Sequence, residues 1–258
     1  MRTVHHHGRE TAYRIRDRDG KGRTIVFVHG SGGTHDIWTS QRRGLADDHR
    51  VVALDLSGHG GSEDVPTDDG PTARERYVED VVAVTDEVDG DVLVGNSLGG
   101  AVVIQALLDE DPNVDAVVLA GSGAKLAVLE DLRTWLAEDF ERAISFLHGE
   151  DMLFHDPDPR LDELSRTAMR RVGRRVTERD FLASHTFDER ERIGRIDVPT
   201  MALTGEYDRL TPPAYHEYLA ENIPAGEWQT LPNAAHLSML ETPDRFNEAL
   251  RAFLSGWS

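Results

Sequence analysis

Ser97 stands in Gly95-Asn96-Ser97-Leu98-Gly99, directly after the apolar run Asp91-Val92-Leu93-Val94 and at the head of the apolar segment Leu98 to Leu108. A serine between glycines, leaving a strand and opening a helix, is the G-x-S-x-G arrangement of a nucleophile on a sharp turn. The glycines leave space where Cβ atoms would crowd the turn. The helix N-terminus aims N–H groups at negative charge developing nearby. Such a hydroxyl needs a base beside it, because serine is a poor nucleophile at neutral pH. The chain has 12 histidines and no cysteine, so a cysteine nucleophile, a disulfide framework and a thiolate metal site are excluded. A second glycine pattern, Gly30 and Gly32 after Thr24 to Val28, with Asp55 after the next apolar run, outlines a dinucleotide site. Its third glycine position holds His35, and no P-loop sequence is present. With no metal-ligand cluster or catalytic carboxylate pair in the pattern, no cofactor and no metal are expected.

The segments that must position Ser97 are short and β-branched. Buried strands are expected at Thr24–Val28, Arg50–Leu54, Asp91–Val94, Asp115–Leu119 and Pro199–Leu203, and a last one at Glu227–Leu231. Continuous apolar runs rather than alternation indicate a parallel sheet covered on both faces. Thr11–Arg16, before Gly20, fits an N-terminal antiparallel hairpin strand. Helical spacing covers Ala73–Val88 (Tyr77, Val81, Val84, Val88), Leu98–Leu108, and Pro243–Leu254 with Phe246, Leu250, Phe253 and Leu254 on one stripe. Strands alternating with helices predict a doubly wound α/β architecture. From Ala124 to Ile196 the rhythm breaks. Leu129-Leu132-Trp135-Leu136, Phe140-Ile144-Leu147 and Arg160–Arg175 fit amphipathic helices, and no buried strand is evident. A structureless loop of this length is rare, so a helical lid is expected at 124–196, inserted into a core formed by 1–123 and 197–258.

Four separated motifs resemble the α/β-hydrolase fold superfamily, and together they span nearly the whole chain. His29-Gly30-Ser31-Gly32-Gly33 resembles its oxyanion loop, and Asp55-Leu56-Ser57-Gly58-His59-Gly60-Gly61-Ser62 its D-x-x-G-H-G-x-S turn. Gly95–Gly99 resembles its nucleophile elbow. Gly205-Glu206-Tyr207-Asp208, with Ala235-His236 downstream, resembles its acid and base segments. The resemblance implies a mostly parallel sheet flanked by helices, the lid lying before the strand that carries the acid. It also implies a Ser97, Asp208, His236 triad in the chain order nucleophile, acid, base. His236 would take the Ser97 proton, and Asp208 would orient the imidazole and stabilise its charged form. Both follow strands, so both can reach the C-terminal edge of the sheet, where ligands bind in such folds. The oxyanion donors implied are the backbone N–H groups of Leu98 and Ser31.

Other residues compete for these roles. Glu206 is two residues from Asp208. After Leu119 the chain reads Gly121-Ser122-Gly123, with no carboxylate. His29 and His59 match family positions that hold loops together and are read as structural. His5-His6-His7 is expected to be a solvated tail rather than a metal site, and no motif supports His185 or His216.

Composition narrows the setting. The 258 residues carry 47 acidic and 28 basic side chains, a formal net charge of -19, and Lys21 and Lys125 are the two lysines among the basic residues. This charge repels nucleic acid and other polyanions. The chain lacks an apolar stretch near 18 residues and an apolar region within Met1–Arg18, so a cytoplasmic protein is expected, bound to neither membrane nor nucleic acid and acting on a small molecule. Acid excess with scarce lysine resembles proteins of extreme halophiles, since molar salt cuts the Debye length to about 3 Å and screens such repulsion.

Among reactions, hydrolysis of an ester, thioester or lactone through an acyl-Ser97 intermediate is expected. Gly95-Asn96-Ser97 with His29–Gly32 also resembles hydrolases of carbon–carbon bonds in ring-cleavage products. The tryptophan that follows the catalytic histidine in many of those is Leu237 here. Cofactor-free haloperoxidases and perhydrolases share the same triad. A ligand-binding protein on the same fold is the non-enzymatic alternative. The serine nucleophile speaks against dehalogenase or epoxide hydrolase chemistry. Trp135, Phe140, Phe146 and Phe154 could line an apolar acyl pocket, but packing of the lid onto the core is the simpler role.

Overall fold

The computed structural model describes residues 1–18 and 22–256. The apolar runs form the strands expected, within one or two residues at each end: β3 (Thr24–Val28), β4 (Arg50–Leu54), β5 (Val92–Asn96), β6 (Ala116–Ala120), β7 (Thr200–Gly205) and β8 (Gly226–Leu231). Two N-terminal strands, β1 (Arg2–His6) and β2 (Arg9–Arg16), precede them. Among the described residues the sheet has eight strands in the order β1-β2-β4-β3-β5-β6-β7-β8. The β1–β2 and β2–β4 pairings are antiparallel and the rest parallel. This is the α/β-hydrolase fold.

Successive strand residues face opposite sides of the sheet. Val26 and Val28 pack with Tyr77, Val81 and Val84 of α2 (Gly70–Glu87) and with the apolar residues of α3 (Leu98–Asp109). Ile25 and Phe27 instead pack with Trp38, Phe246 and Leu250 on the other face. That face is covered by α1 (Thr39–Gly44) and α10 (Pro243–Ser255), with the short α9 (Ser238–Glu241) ahead of α10. α8 (Pro213–Asn222) connects β7 to β8. The strand β8 closes one edge of the sheet, so Trp228 on it stays exposed.

Between β6 and β7 lie four helices: α4 (Glu130–Glu138), α5 (Phe140–Leu147), α6 (Pro159–Val172) and α7 (Arg174–His185). Leu132, Leu136, Ile144, Leu147 and Phe154 form an apolar cluster of their own. The later part of the interval joins the main core through Ala183, Phe187, Ile193 and Ile196. The helix expected at Arg160–Arg175 is α6, which stops at Val172 because Gly173 has a φ of 89° that no helix permits; α7, beyond it, was not expected. Among the described residues no helix is long and apolar enough to cross a membrane.

The N-terminus departs from expectation. His5-His6-His7 is not a solvated tail: His5 and His6 belong to β1, and His7 (φ 47°) with Gly8 (φ 77°) turns the chain into β2. Such a turn, with positive φ at both central residues, matches the twist of the flanking strands. His6 Nε2 lies 2.7 Å from Thr11 Oγ1 and 3.4 Å from Asp80 Oδ1. An edge strand held by backbone pairing needs no apolar alternation, so its polar sequence carried no strand signal. Thr11–Arg16 is a hairpin strand as expected, and Gly20, set as its boundary, lies outside the described residues.

Candidate active site

Ser97 ends β5 and caps α3 with φ 54° and ψ -118°, a strained backbone for a residue bearing a Cβ. The crowding around it is severe. A Cβ on Gly95 would sit 2.5 Å from the Gly99 carbonyl oxygen, and one on Gly30 would lie 3.0 Å from Ser97 Cβ. These glycines let the loop after β3 and the turn at Ser97 approach each other closely.

His236 follows β8 and is buried. Its Nδ1 lies 2.9 Å from Asp208 Oδ2 and 3.2 Å from Thr211 Oγ1. With Nδ1 engaged, Nε2 is the nitrogen left for a reacting group. Asp208, in the loop after β7, accepts from Leu210 N–H (2.9 Å), Thr211 N–H (2.8 Å) and the Thr211 hydroxyl (2.8 Å). Burial pushes its carboxyl up, but the neighbouring His236 and the donated hydrogen bonds outweigh that and hold it below the usual carboxylate range. Glu206 is exposed, and its carboxylate lies 3.4 Å from Asn233 N–H, away from the imidazole.

Ser97 and His236 line one cavity of about 660 Å³, together with Gly30, Ser31, Gly32 and Asn96. This is the ordinary size of a small-molecule site. Much of the remaining wall is apolar and comes from the interval between β6 and β7, with Leu126, Val128, Leu132, Phe146, Leu161 and Met169 among its residues; Ile37, Leu210, Tyr215 and Leu237 complete it from the core. Of the four aromatics weighed for this wall, Phe146 lines the cavity, Trp135 packs on Phe146 at 5.3 Å between ring centroids, Phe140 packs against the cluster of Leu132, Leu136 and Ile144, and Phe154 is buried in that cluster. Leu98 opens α3 and its side chain is buried, so it can serve the cavity through its main chain alone.

Several supporting residues escaped the sequence reading. Thr211 bridges acid and base; its signal, a threonine three residues after Asp208, was present. Ser122 Oγ donates to the Ser97 carbonyl at 2.9 Å, and Ser122 N–H donates to His216 Nε2 at 3.1 Å. Burial pushes the His216 pKa down to about 4, so this ring is neutral and acts as an acceptor. Glu241 accepts from Ala235 N–H at 2.7 Å and steadies the His236 loop. No local pattern announces Ser122 or His216, because their partners are distant in sequence.

His29 and His59 are buried and bonded to loops. Leu56 N–H donates to His29 Nε2 at 3.0 Å and His29 Nδ1 lies 2.9 Å from the Gly30 carbonyl, which defines a neutral ring; burial lowers its pKa to about 4. His59 Nε2 instead meets Asp180 Oδ2 of α7 at 2.9 Å. Among the described residues no group of three or more histidine and carboxylate side chains could hold a metal ion.

Residues 25–249 match the model of the alpha/beta hydrolase family. The chain is 28% identical over 249 residues to the 2-hydroxy-6-oxo-6-(2'-aminophenyl)hexa-2,4-dienoic acid hydrolase of Metapseudomonas resinovorans, covering 92% of this chain and 85% of that one. It is 27% identical over 254 residues to a pimeloyl-(acyl-carrier protein) methyl ester esterase of Neisseria meningitidis, covering 90% and 93%. Among solved structures, Est816, an N-acyl homoserine lactone degrading enzyme, superposes with a TM-score of 0.84 at 28% identity over 98% of this chain and 100% of that one.

Proposed function

Since the chain belongs to the alpha/beta hydrolase family, we propose that it hydrolyses a small carboxylic ester, thioester or lactone through an acyl-enzyme on Ser97. The observation that carries this reading is the buried Asp208–His236 pair, 2.9 Å apart, opening onto the same cavity as a serine on a strained turn. His236 Nε2 removes the proton from Ser97 Oγ as that oxygen bonds to the substrate carbonyl carbon. The tetrahedral oxyanion accepts hydrogen bonds from the backbone N–H groups of Leu98 and Ser31. The imidazolium, stabilised by Asp208, then protonates the leaving alcohol, thiol or lactone oxygen. Water, deprotonated by the same histidine, releases the acid and frees Ser97.

The mostly apolar wall supports an acyl group of aliphatic or aromatic character, and residues 124–196 serve as the lid over it. The esterase and lactone-degrading relatives favour acyl–oxygen cleavage. The Metapseudomonas relative supports carbon–carbon bond hydrolysis on the same triad as the second reading. The acid excess fits a cytoplasmic protein working in molar salt on a small molecule, with no nucleic acid, membrane or cofactor taking part.

The test is a panel of esters, lactones and dienones at high salt, combined with fluorophosphonate labelling read by peptide mass. Labelling at Ser97 and turnover of esters or lactones is the expected result. Turnover of dienones alone moves the assignment to carbon–carbon cleavage, and a folded protein with neither label nor turnover leaves the ligand-binding alternative standing.

A further inference from the structure

The oxyanion loop is held from the lid. Gly33 N–H donates to the Gly30 carbonyl at 3.1 Å, closing a four-residue turn in which Gly32 has φ 64°. A turn with positive φ at its third residue has a central peptide that can flip between two orientations, as in types I and II. That central peptide joins Ser31 to Gly32, and its N–H donates to Asp180 Oδ2 at 2.9 Å. Asp180 belongs to α7, almost 150 residues away in sequence.

Asp180 is fully buried and has no freedom of its own. Its Oδ2 also accepts from His59 Nε2 at 2.9 Å, and its Oδ1 accepts from the Tyr77 hydroxyl at 2.7 Å. Both nitrogens of His59 face acceptors, since Nδ1 lies 3.2 Å from the Ser57 carbonyl and 3.3 Å from that of Leu56. The ring that satisfies both contacts is the imidazolium. Next door, Arg179 donates to the Tyr77 hydroxyl at 3.0 Å, to Asp64 Oδ1 at 2.8 Å and to the Ser57 carbonyl at 3.1 Å. A buried charge network thus joins α7, α2 and the His59 turn, and one oxygen of it reaches into the oxyanion loop.

We propose that Asp180 is a positioning residue for transition-state stabilisation: its grip on Gly32 N–H ties the Gly30–Gly33 turn to α7 and thereby sets the distance and direction from which the adjacent Ser31 N–H meets the oxyanion. The proposal rests on the serine hydrolase reading above. The lid then has two parts with different duties. Its apolar helices shape the acyl cavity, and α7 completes the catalytic centre by anchoring the turn that carries Ser31 N–H.

A misdirected oxyanion donor weakens the transition state and leaves the ground-state complex alone, so it lowers kcat more than it changes KM. The experiment compares wild type, Asp180→Ala and Asp180→Asn on a p-nitrophenyl ester, with kcat expressed per site titrated by fluorophosphonate. Inhibition by an alkylboronic acid, which forms a tetrahedral adduct on serine, is measured alongside. Asp180→Ala is expected to lose about 10–100-fold in kcat at a KM within about twofold of wild type, with boronate affinity falling in step. Asp180→Asn, which still offers Gly32 one amide oxygen, is expected to recover most of that loss. A folded Asp180→Ala protein with wild-type kcat per titrated site, or a change confined to KM, overturns the proposal. Where the alanine variant does not fold, Tyr77→Phe decides. Loss of the hydroxyl from Oδ1 is expected to lower kcat about threefold at constant KM, and unchanged kcat and boronate affinity overturn the proposal. Failure of wild type to label at Ser97 sinks the serine hydrolase reading itself, whereas a labelled, active wild type with indifferent Asp180 and Tyr77 variants sinks this inference alone.

Discussion

Two buried histidine–carboxylate pairs of this chain have the same 2.9 Å separation and opposite designs: His236 with Asp208, and His59 with Asp180. In the first, one imidazole nitrogen is held and the other faces a cavity. In the second, both nitrogens are held by acceptors and nothing opens onto the ring. Their carboxylates differ as well. Asp208 keeps three donors besides its histidine, all from its own loop, so it remains satisfied whatever the ring does. Asp180 depends on groups from three distant segments. The first pair thus has a free end and a self-sufficient anchor, and the second has neither.

The strongest way to break this contrast is to disable each pair and compare activity with stability. Ser97→Ala, His236→Ala and Asp208→Asn are each expected to lower turnover of a suitable ester by about 10³-fold or more, because the three act as one unit. Their unfolding midpoints should stay close to wild type. If Asp208→Asn retains full activity, the acid role passes to another carboxylate and the contrast loses one side.

His59→Leu should cost the most stability. It strands the buried Asp180 carboxylate, and breaking a buried ion pair costs about 3–5 kcal/mol. Urea unfolding of His59→Leu and His236→Ala side by side checks this, and equal midpoints for the two would remove the distinction.

A finer effect comes from pH. Both carboxylates and His59 depart from their ordinary pKa values. Burial pushes His59 down, but its contact with Asp180 outweighs that and leaves it raised. Its contribution is therefore complete below about pH 6.5 and is lost as pH rises through the raised folded value. Asp180 is held low despite burial, by His59 and the donated hydrogen bonds, so its contribution is present above about pH 3.8 and lost as pH falls further. Between these limits His29 and His216, both lowered by burial to about 4, set the slope. The unfolded chain takes up their protons near pH 6.5 and the folded chain resists until about pH 4, so stability must fall across that interval. The expected loss is at most about 3 kcal/mol per histidine. Denaturant midpoints from pH 7 to 4 measure it, and a His216→Gln variant with an unchanged slope would remove His216 from the account.

Salt should produce the smallest change and separates buried from exposed charge. Screening hardly reaches the two buried pairs but acts on the acid-rich surface. There, pairs such as Arg175–Asp68 and Arg251–Asp48 are exposed and contribute little. If net repulsion dominates, the unfolding midpoint rises from dilute to molar KCl. A falling midpoint would show that the surface pairs outweigh the repulsion, and the salt-adapted reading would go with it.

Much of this was legible in the residue order. From β3 to β7 each strand of the parallel part is a short apolar run, whereas the edge strand β8 is mostly polar and exposed; the helices α2, α3 and α10 follow their apolar spacing closely. Those signals are local, since a strand buried on both faces must be apolar throughout. β1 was not legible, because it is an edge held by its backbone. The expected helix ran two residues past the break at Gly173, and α7 beyond it carried no signal that was read. Thr211 could have been found from its spacing to Asp208. Asp180 could not, for it sits on a polar stretch of helix whose partners, Gly32, His59 and Tyr77, lie 100 to 150 residues earlier.

The amino-acid order by itself determined the sheet, the elbow, and the serine, carboxylate and imidazole that the family pattern requires, because backbone strain and strand burial restrict residue types within a few neighbours. Tertiary structure alone decided which of many histidines keeps a nitrogen free, which carboxylate each one meets, and that α7 grips the loop after β3 through Asp180 and Gly32. Those outcomes depend on groups brought together across the fold, where loss of water makes every pairing between them strong and every unpaired charge costly.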